Sequence, residues 1–254
     1  MDFQEVRVYQ PGDDIRQIDW HVTAKYGKPF TKLYMEEKER ALFFVVDLRS
    51  SMKFATHGDF KSVIAARLTA FLAFVADHQK DKIGYIILTD EGLVSSQGAD
   101  LGLLSQLLNS LVKPSHHTMS EATWESALRV LGLCLPMGSV VFLLSDFHDW
   151  QQKDTTLLTP FCEKNTFLFV SIYDALEAEL PDDTLLFSNG KEVLVLDAHN
   201  KRERRAFHQE WVQRQSELKE KATKYGWGFL PVVTHSDYLS LLSQFCFGES
   251  HNGN

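Results

Sequence analysis

The segment Ala41 to Asp47, A-L-F-F-V-V-D, is apolar until a carboxylate closes it, the pattern of a central parallel strand buried on both faces. Between Asp59 and Gln79 the apolar residues Phe60, Val63, Ile64, Leu68, Phe71, Leu72 and Val75 recur at helical spacing, with Asp59 placed to cap the helix start. Ile83 to Leu88 then reads as a strand, Gly92 to Ser96 as its hairpin partner, and Leu101 to Leu111 and Glu121 to Leu135 as helices. Val140 to Ser145 is again wholly apolar before Asp146, and Phe167 to Ile172 leads to Tyr173 and Asp174. Strands alternating with helices in this way predict right-handed crossovers and an α/β fold with a mostly parallel sheet flanked by helices.

Further on, Thr184 to Ser188 and Glu192 to Leu196 flank Asn189-Gly190, a strong hairpin turn. A long helix over Lys201 to Tyr225, a strand over Gly228 to Val233 and a helix over Asp237 to Phe245 complete the main domain, taken as residues 41–246. Residues 1–40 differ in character, with a turn at Pro11-Gly12-Asp13-Asp14 and an extended segment from Phe30 to Glu37, and are expected to be a small appendage packed on that domain. Residues 247–254 are expected to be a disordered tail.

Composition narrows the function classes. With 254 residues, 44% of them hydrophobic, the chain can bury a sizeable core. A net charge of −8 opposes nucleic acid, and the basic run Lys201, Arg202, Arg204 and Arg205 reads as a solvated helix face, so no nucleic-acid partner is expected. Cys134, Cys162 and Cys246 lie far apart without a C-x-x-C pair, as small core hydrophobes do in a reducing compartment. The longest apolar stretch, Val63 to Ala76, is interrupted by Arg67 and falls short of the ~18 residues of a membrane span; with no basic leader after Met1, a cytoplasmic protein is expected.

In parallel sheets ligands lie at the carboxyl ends of the strands, where Asp47, Asp146 and Asp174 all fall. A phosphatase using D-x-D after the first strand would need a general acid where Arg49 stands. Phosphate-loop, nucleophile-elbow and H-E-x-x-H motifs are absent from the sequence. His116 and His117 are adjacent on a loop and point in different directions, which disfavours a metal pair.

Arg7, Tyr9, the run P-G-D-D-I-R-Q-I-D-W from Pro11 to Trp20, and Ala24 closely resemble the signature of domain-of-unknown-function family 58. The likeness continues through Glu36 to Met52, S-D-F at Ser145 to Phe147, and Asp174, Glu177, Leu180 and Pro181. The resemblance implies a von Willebrand factor A-like fold and partnership with a MoxR-type AAA+ ATPase. Members commonly carry residues, often membrane segments, ahead of the region matching Phe3, which suggests here a short soluble form or a start upstream of Met1. Physically the signature (Arg7, Tyr9, Pro11, Gly12, Asp13, Asp14, Arg16, Asp19, Trp20) reads as a turn, an Asp14 cap, an Arg16 able to pair with Asp13 or Asp19, and a Trp20 anchor buried on the core.

The resemblance also implies a divalent-cation site built from a D-x-S-x-S loop, a Thr of a second loop and a later Asp, all hard oxygen ligands. Asp47, Ser51 and Asp146 match, Arg49 replaces a Ser, and the Thr position is open among Thr118, Ser120 and Thr123. Mg²⁺ or Mn²⁺ is therefore expected to bind weakly or not at all, with Arg49 able to pair with Asp47 and Asp146. The reading is a non-enzymatic adaptor for a MoxR-type ATPase and an unknown client, acting through a degenerate metal-ion-dependent adhesion site. The alternative is a hydrolase of phosphate or acyl esters at the same strand ends.

Overall fold

The computed structural model describes residues 2–10, 13, 18–35, 40–113, 122–188 and 193–247. They divide into two compact units, Met1–Glu39 and Arg40–Asn254. In the smaller unit β1 (Asp2–Val8) pairs antiparallel with β2 (Phe30–Met35), Val8 opposite Phe30. Between them α1 (Trp20–Tyr26) starts at Asp19, whose side chain accepts from the backbone N–H of His21 and Val22, and stops at Gly27, whose φ of 68° suits a residue without Cβ. The signature thus makes its helical turn at Asp19, while Asp14 lies outside the described residues. Trp20, on the first turn of α1, is 67% exposed and so is not buried within its own unit.

The larger unit holds β3 (Ala41–Asp47), α2 (Lys61–His78), β4 (Lys82–Thr89), β5 (Gly92–Ser95), α3 (Leu104–Val112), α4 (Trp124–Cys134), β6 (Val140–Ser145), α5 (Gln152–Leu158) and β7 (Thr166–Tyr173). It continues with α6 (Ala175–Ala178), the hairpin β8 (Thr184–Ser188) and β9 (Val193–Asp197), α7 (Lys201–Lys224), β10 (Gly228–Val233) and α8 (Tyr238–Phe247). The main sheet has the order β10-β7-β6-β3-β4-β5, parallel except for β5. Counted within the sheet, the chain starts at a central strand, winds outward one way to the antiparallel edge, then returns and winds outward the other way. That is a doubly wound α/β sheet, and its connections reverse direction between β3 and β6.

Strand alternation sorts the core into two layers. Phe44, Val46, Phe142, Leu144, Val170 and Ile172 face α2, α3 and α8, contacting Ile64, Leu68, Leu107 and Leu242. Phe43, Val45, Val141, Leu143, Phe167 and Phe169 face α4, α5 and α7, contacting Trp124, Leu128, Leu158, Leu218 and Ala222. On β4, Gly84 sits opposite Phe43, and a Cβ there would collide with the Phe43 ring.

The helix starts differ from expectation. Phe60, not Asp59, precedes α2 and offers no side-chain cap, and Asp59 is paired with Arg67 instead. A Thr123–Ser126 capping box moves the start of α4 to Trp124.

Candidate functional site

The reversal between β3 and β6 opens a crevice at the carboxyl ends of these strands, and the register decides what faces it. Val46 lies opposite Leu144, so Asp47 and Ser145, the next residues, point to the same side. Ser145 Oγ donates to Asp47 Oδ2 at 2.7 Å and accepts from the Phe147 N–H at 3.0 Å. Asp47 is fully buried.

Arg49 folds back over this carboxylate. Its Nε donates to Asp47 Oδ1 at 2.9 Å and its Nη2 to Asp47 Oδ2 at 2.7 Å, a bidentate pair. Nη1 and Nη2 also donate to Asp149 Oδ2 at 2.6 Å and Oδ1 at 3.1 Å, and Nη1 to the carbonyl of Ala122 at 3.3 Å. A guanidinium has five N–H donors, and these contacts engage all of them. Trp124 lies against it, the guanidinium carbon 5.8 Å from the ring centroid, and its indole N–H donates to Asp149 at 3.0 Å. Burial would lower the pKa of Arg49, but its hydrogen bonds to Asp47 and Asp149 outweigh it and hold the group more firmly protonated than an ordinary arginine.

Phe147 shapes the turn that delivers Asp149. It has a φ of 53°, rare for a residue with a side chain, and is held by stacking on Trp124 and by edge contact with Trp150. Phe169 and Trp227 extend this aromatic layer beneath the site.

Asp146 faces the other side of the sheet. It meets Lys61 Nζ at 2.8 Å, and Lys61 also pairs with Glu177 at 2.6 Å. The Lys61 side chain is 1% exposed, at the first turn of α2. Burial alone would raise the Asp146 carboxyl, but the His148 hydrogen bond and the Lys61 ammonium overcome it and hold the group well below the usual carboxylate range. Asp174 fastens three segments, accepting from the Thr56 N–H at 2.9 Å, the Thr56 hydroxyl, the Leu176 N–H at 3.0 Å and the Thr234 hydroxyl at 2.7 Å.

The structure therefore brings Asp47 and Arg49 together, as the sequence suggested, but the second carboxylate on the guanidinium is Asp149 and not Asp146. Lys61 and Asp149 carried no sequence signal beyond a Lys at the head of an apolar helix and a second Asp three residues past the first. Thr123 is occupied as the α4 cap, and Thr118, Ser120, His116 and His117 lie outside the described residues. In the signature, Asp13 pairs with Arg7 at 2.7 Å and Tyr9 donates its N–H to the Pro29 carbonyl at 2.8 Å; Pro11, Gly12 and Arg16 lie outside the described residues.

These residues do not fit a divalent cation. Ser51 offers a buried hydroxyl without a hydrogen-bond partner, but the guanidinium fills the space over Asp47 and Asp146 is turned away. A divalent ion ~4 Å from Arg49 would meet about 8 kcal/mol of repulsion at an effective dielectric of ~20.

Sheet order, antiparallel edge strand and crevice define a von Willebrand factor A-like α/β domain with an arginine-filled strand-end site. The chain belongs to the family described as Protein of unknown function DUF58, which matches residues 5–217. Uncharacterized proteins of Mycobacterium bovis and Mycobacterium tuberculosis are 34% identical over 183 residues, 70% of this chain and 56% of theirs. The chain thus spans about half the length of these curated relatives. BatB from Bacteroides thetaiotaomicron superposes with a TM-score of 0.54 at 14% identity, over 80% of this chain and 95% of that one. An aerotolerance-related membrane protein from Bacteroides fragilis gives 0.52 at 13% identity, over 82% and 96%. Among the described residues, no helix is long and apolar enough to cross a membrane.

Proposed function

We propose that the chain is a non-enzymatic protein-interaction module, a cytoplasmic adaptor through which a MoxR-type AAA+ ATPase engages or remodels a client complex. Its working surface is the carboxyl end of the sheet, where loops on a rigid scaffold carry function. In this reading the surface is a metal-ion-dependent adhesion site that has exchanged its cation for an arginine. The observation that carries it is the Arg49 guanidinium clamped between Asp47 and Asp149. That clamp also argues against the hydrolase alternative, because an attacking carboxylate needs a free oxygen and both oxygens of Asp47 are engaged.

The test is co-purification with the MoxR-type ATPase encoded nearest to it, with nucleotide and with or without EDTA. Micromolar association that survives EDTA is the expected result. No association with or without nucleotide, or nucleotide-free association abolished by EDTA, defeats the proposal. Calorimetric titration with Mn²⁺ should be silent for the native protein, and tight binding would refute the arginine exchange.

A further inference from the structure

Behind the loop that carries Arg49 lies a cavity of about 610 Å³, walled by α2 and α3 and reaching the turn after β4. On α2 the residues Ser62, Ala66 and Ala70 line it at four-residue spacing, which stacks them on a single face. Their small side chains leave a channel that runs ~12 Å along the helix axis. Phe74, the next residue in this row, is 56% exposed. Leu108, Leu111 and Val112 of α3 form the opposite wall, and Val112 is 78% exposed. A helix on the surface of a fold ordinarily turns polar residues outward, yet here two neighbouring helices turn apolar ones into one groove. A cavity of ~150 Å³ admits one benzene-sized ring, so this groove holds about four ring- or leucine-sized side chains.

The groove and the Arg49 clamp share a loop. Asp47 and Arg49 meet in the clamp, while Leu48 between them lines the groove. The Leu48 N–H donates to the Leu88 carbonyl at 2.8 Å and the Ser50 N–H to Asp90 at 2.7 Å, so a residue of the groove wall fastens the same loop. The clamp itself offers a partner few polar groups, because the N–H donors of Arg49 are all engaged and Lys61 is paired with both Asp146 and Glu177. A partner at this end of the sheet therefore gains most from apolar area. Charge along the groove is nearly settled as well. Lys53 pairs with Asp90 at 2.8 Å and Arg67 with Asp59, which leaves Glu91, exposed on the turn after β4, as the lining charge without an ion pair among the described residues.

We propose that this groove receives the apolar face of an amphipathic helix contributed by the protein partner, with a lysine or arginine at the edge of that helix placed against Glu91. Two turns of helix set apolar side chains at i, i+4 and i+7 over the row Ser62, Ala66 and Ala70, where no large side chain opposes them. The pair with Glu91 orients the helix more than it tightens binding, since exposed ion pairs contribute little. The inference rests on the interaction-module reading above and names the kind of segment that the partner brings.

Fluorescence anisotropy with a labelled amphipathic peptide of ~18 residues, leucine on one face and lysine on the other, tests it against a scrambled peptide of the same composition. Both peptides carry the same charge, so attraction to a protein of net charge −8 cancels in the comparison. The native protein should bind the amphipathic peptide at least about fivefold more tightly than the scrambled one. Ala66→Leu, which fills the channel without adding charge, and Val112→Glu should each weaken that binding by about fivefold or more, and Glu91→Gln by about twofold. Leu133→Glu puts the same charge on a residue that is 90% exposed on α4, on the opposite face of the sheet, and should leave binding unchanged. Circular dichroism melts check that each variant is folded, and the exposure of Val112 keeps the test open if Ala66→Leu unfolds. Equal affinity for the two peptides, no binding at millimolar concentration, or binding that Ala66→Leu and Val112→Glu both leave unchanged overturns the proposal. ATPase association without peptide binding removes the groove and leaves the adaptor. Peptide binding that Val112→Glu weakens, without ATPase association, does the reverse.

Discussion

Asp47 is fully buried, and Arg49 and Ser145 hold both of its carboxylate oxygens. Removing one partner of such a pair strands the other, which costs about 3–5 kcal/mol. Arg49→Ala should lower stability by that amount in a denaturant melt; a loss under about 1 kcal/mol would mean that the clamp is not formed. Arg49→Lys should rescue only part of it, since a single ammonium cannot bridge two carboxylates bidentately. His148 gives a pH signature. Its hydrogen bond to Asp146 raises its pKa above the ordinary 6.5, with the nearby Asp149 adding to the effect and burial and Arg49 opposing it. A raised folded-state pKa stabilises below the unfolded value and loses that stabilisation as pH rises through the folded one. His148→Ala should therefore cost more at pH ~5 than at pH ~8.5; the opposite order in thermal melts would show that the imidazole does not pair with Asp146. At this scale the sequence shows that Arg49 spoils a metal loop, yet not which carboxylates it meets. That choice follows from the pairing of Val46 with Leu144, which puts Ser145 on the Asp47 side and Asp146 on the Lys61 side. Register across strands far apart in the chain cannot be read from one segment.

Among the elements, those buried on both faces were the most legible. The apolar runs of β3 and β6 match their strands from end to end, because a strand covered by helices on both sides needs apolar residues throughout. The strand β1, D-F-Q-E-V-R-V, and the short helix α5, Q-K-D-T-T-L-L, went unread, since neither carries enough apolar periodicity to outweigh its polar residues. The turn after β6 was also hidden, for nothing local announces a left-handed phenylalanine. Its conformation costs about 1–2 kcal/mol and is sustained by the surrounding rings. A paired comparison separates backbone from side chain. Phe147→Ala should cost about 3–5 kcal/mol for the lost ring. Phe147→Gly loses the same ring but suits the positive φ, so it should be more stable than Phe147→Ala by about 1 kcal/mol, the reverse of the order in a helix. Equal or lower stability for the glycine variant in urea melts would show that this turn is not left-handed.

For the whole molecule, the two apolar layers draw every described member from residues 42 to 242. The alternation of strands and helices announced this doubly wound unit, since each crossover needs a helix to cover the sheet. The smaller unit was legible only as a signature: its two strands are separated by more than twenty residues, and their pairing is non-local. A two-stranded sheet with one short helix buries little apolar surface and should contribute little to cooperative stability. Trp20 is the sharpest probe of that, because within its own unit the indole is exposed and has little transfer energy to lose. Trp20→Ala should change the unfolding free energy by less than about 1 kcal/mol, whereas deletion of a buried large aromatic costs about 3–5. A fragment beginning at Arg40 should likewise unfold in one cooperative transition, since it retains all the described members of both layers. A molten fragment, with helical circular dichroism but no cooperative melt, would mean that residues 1–39 complete the core of the larger unit, and a large loss with Trp20→Ala would identify the indole as the anchor.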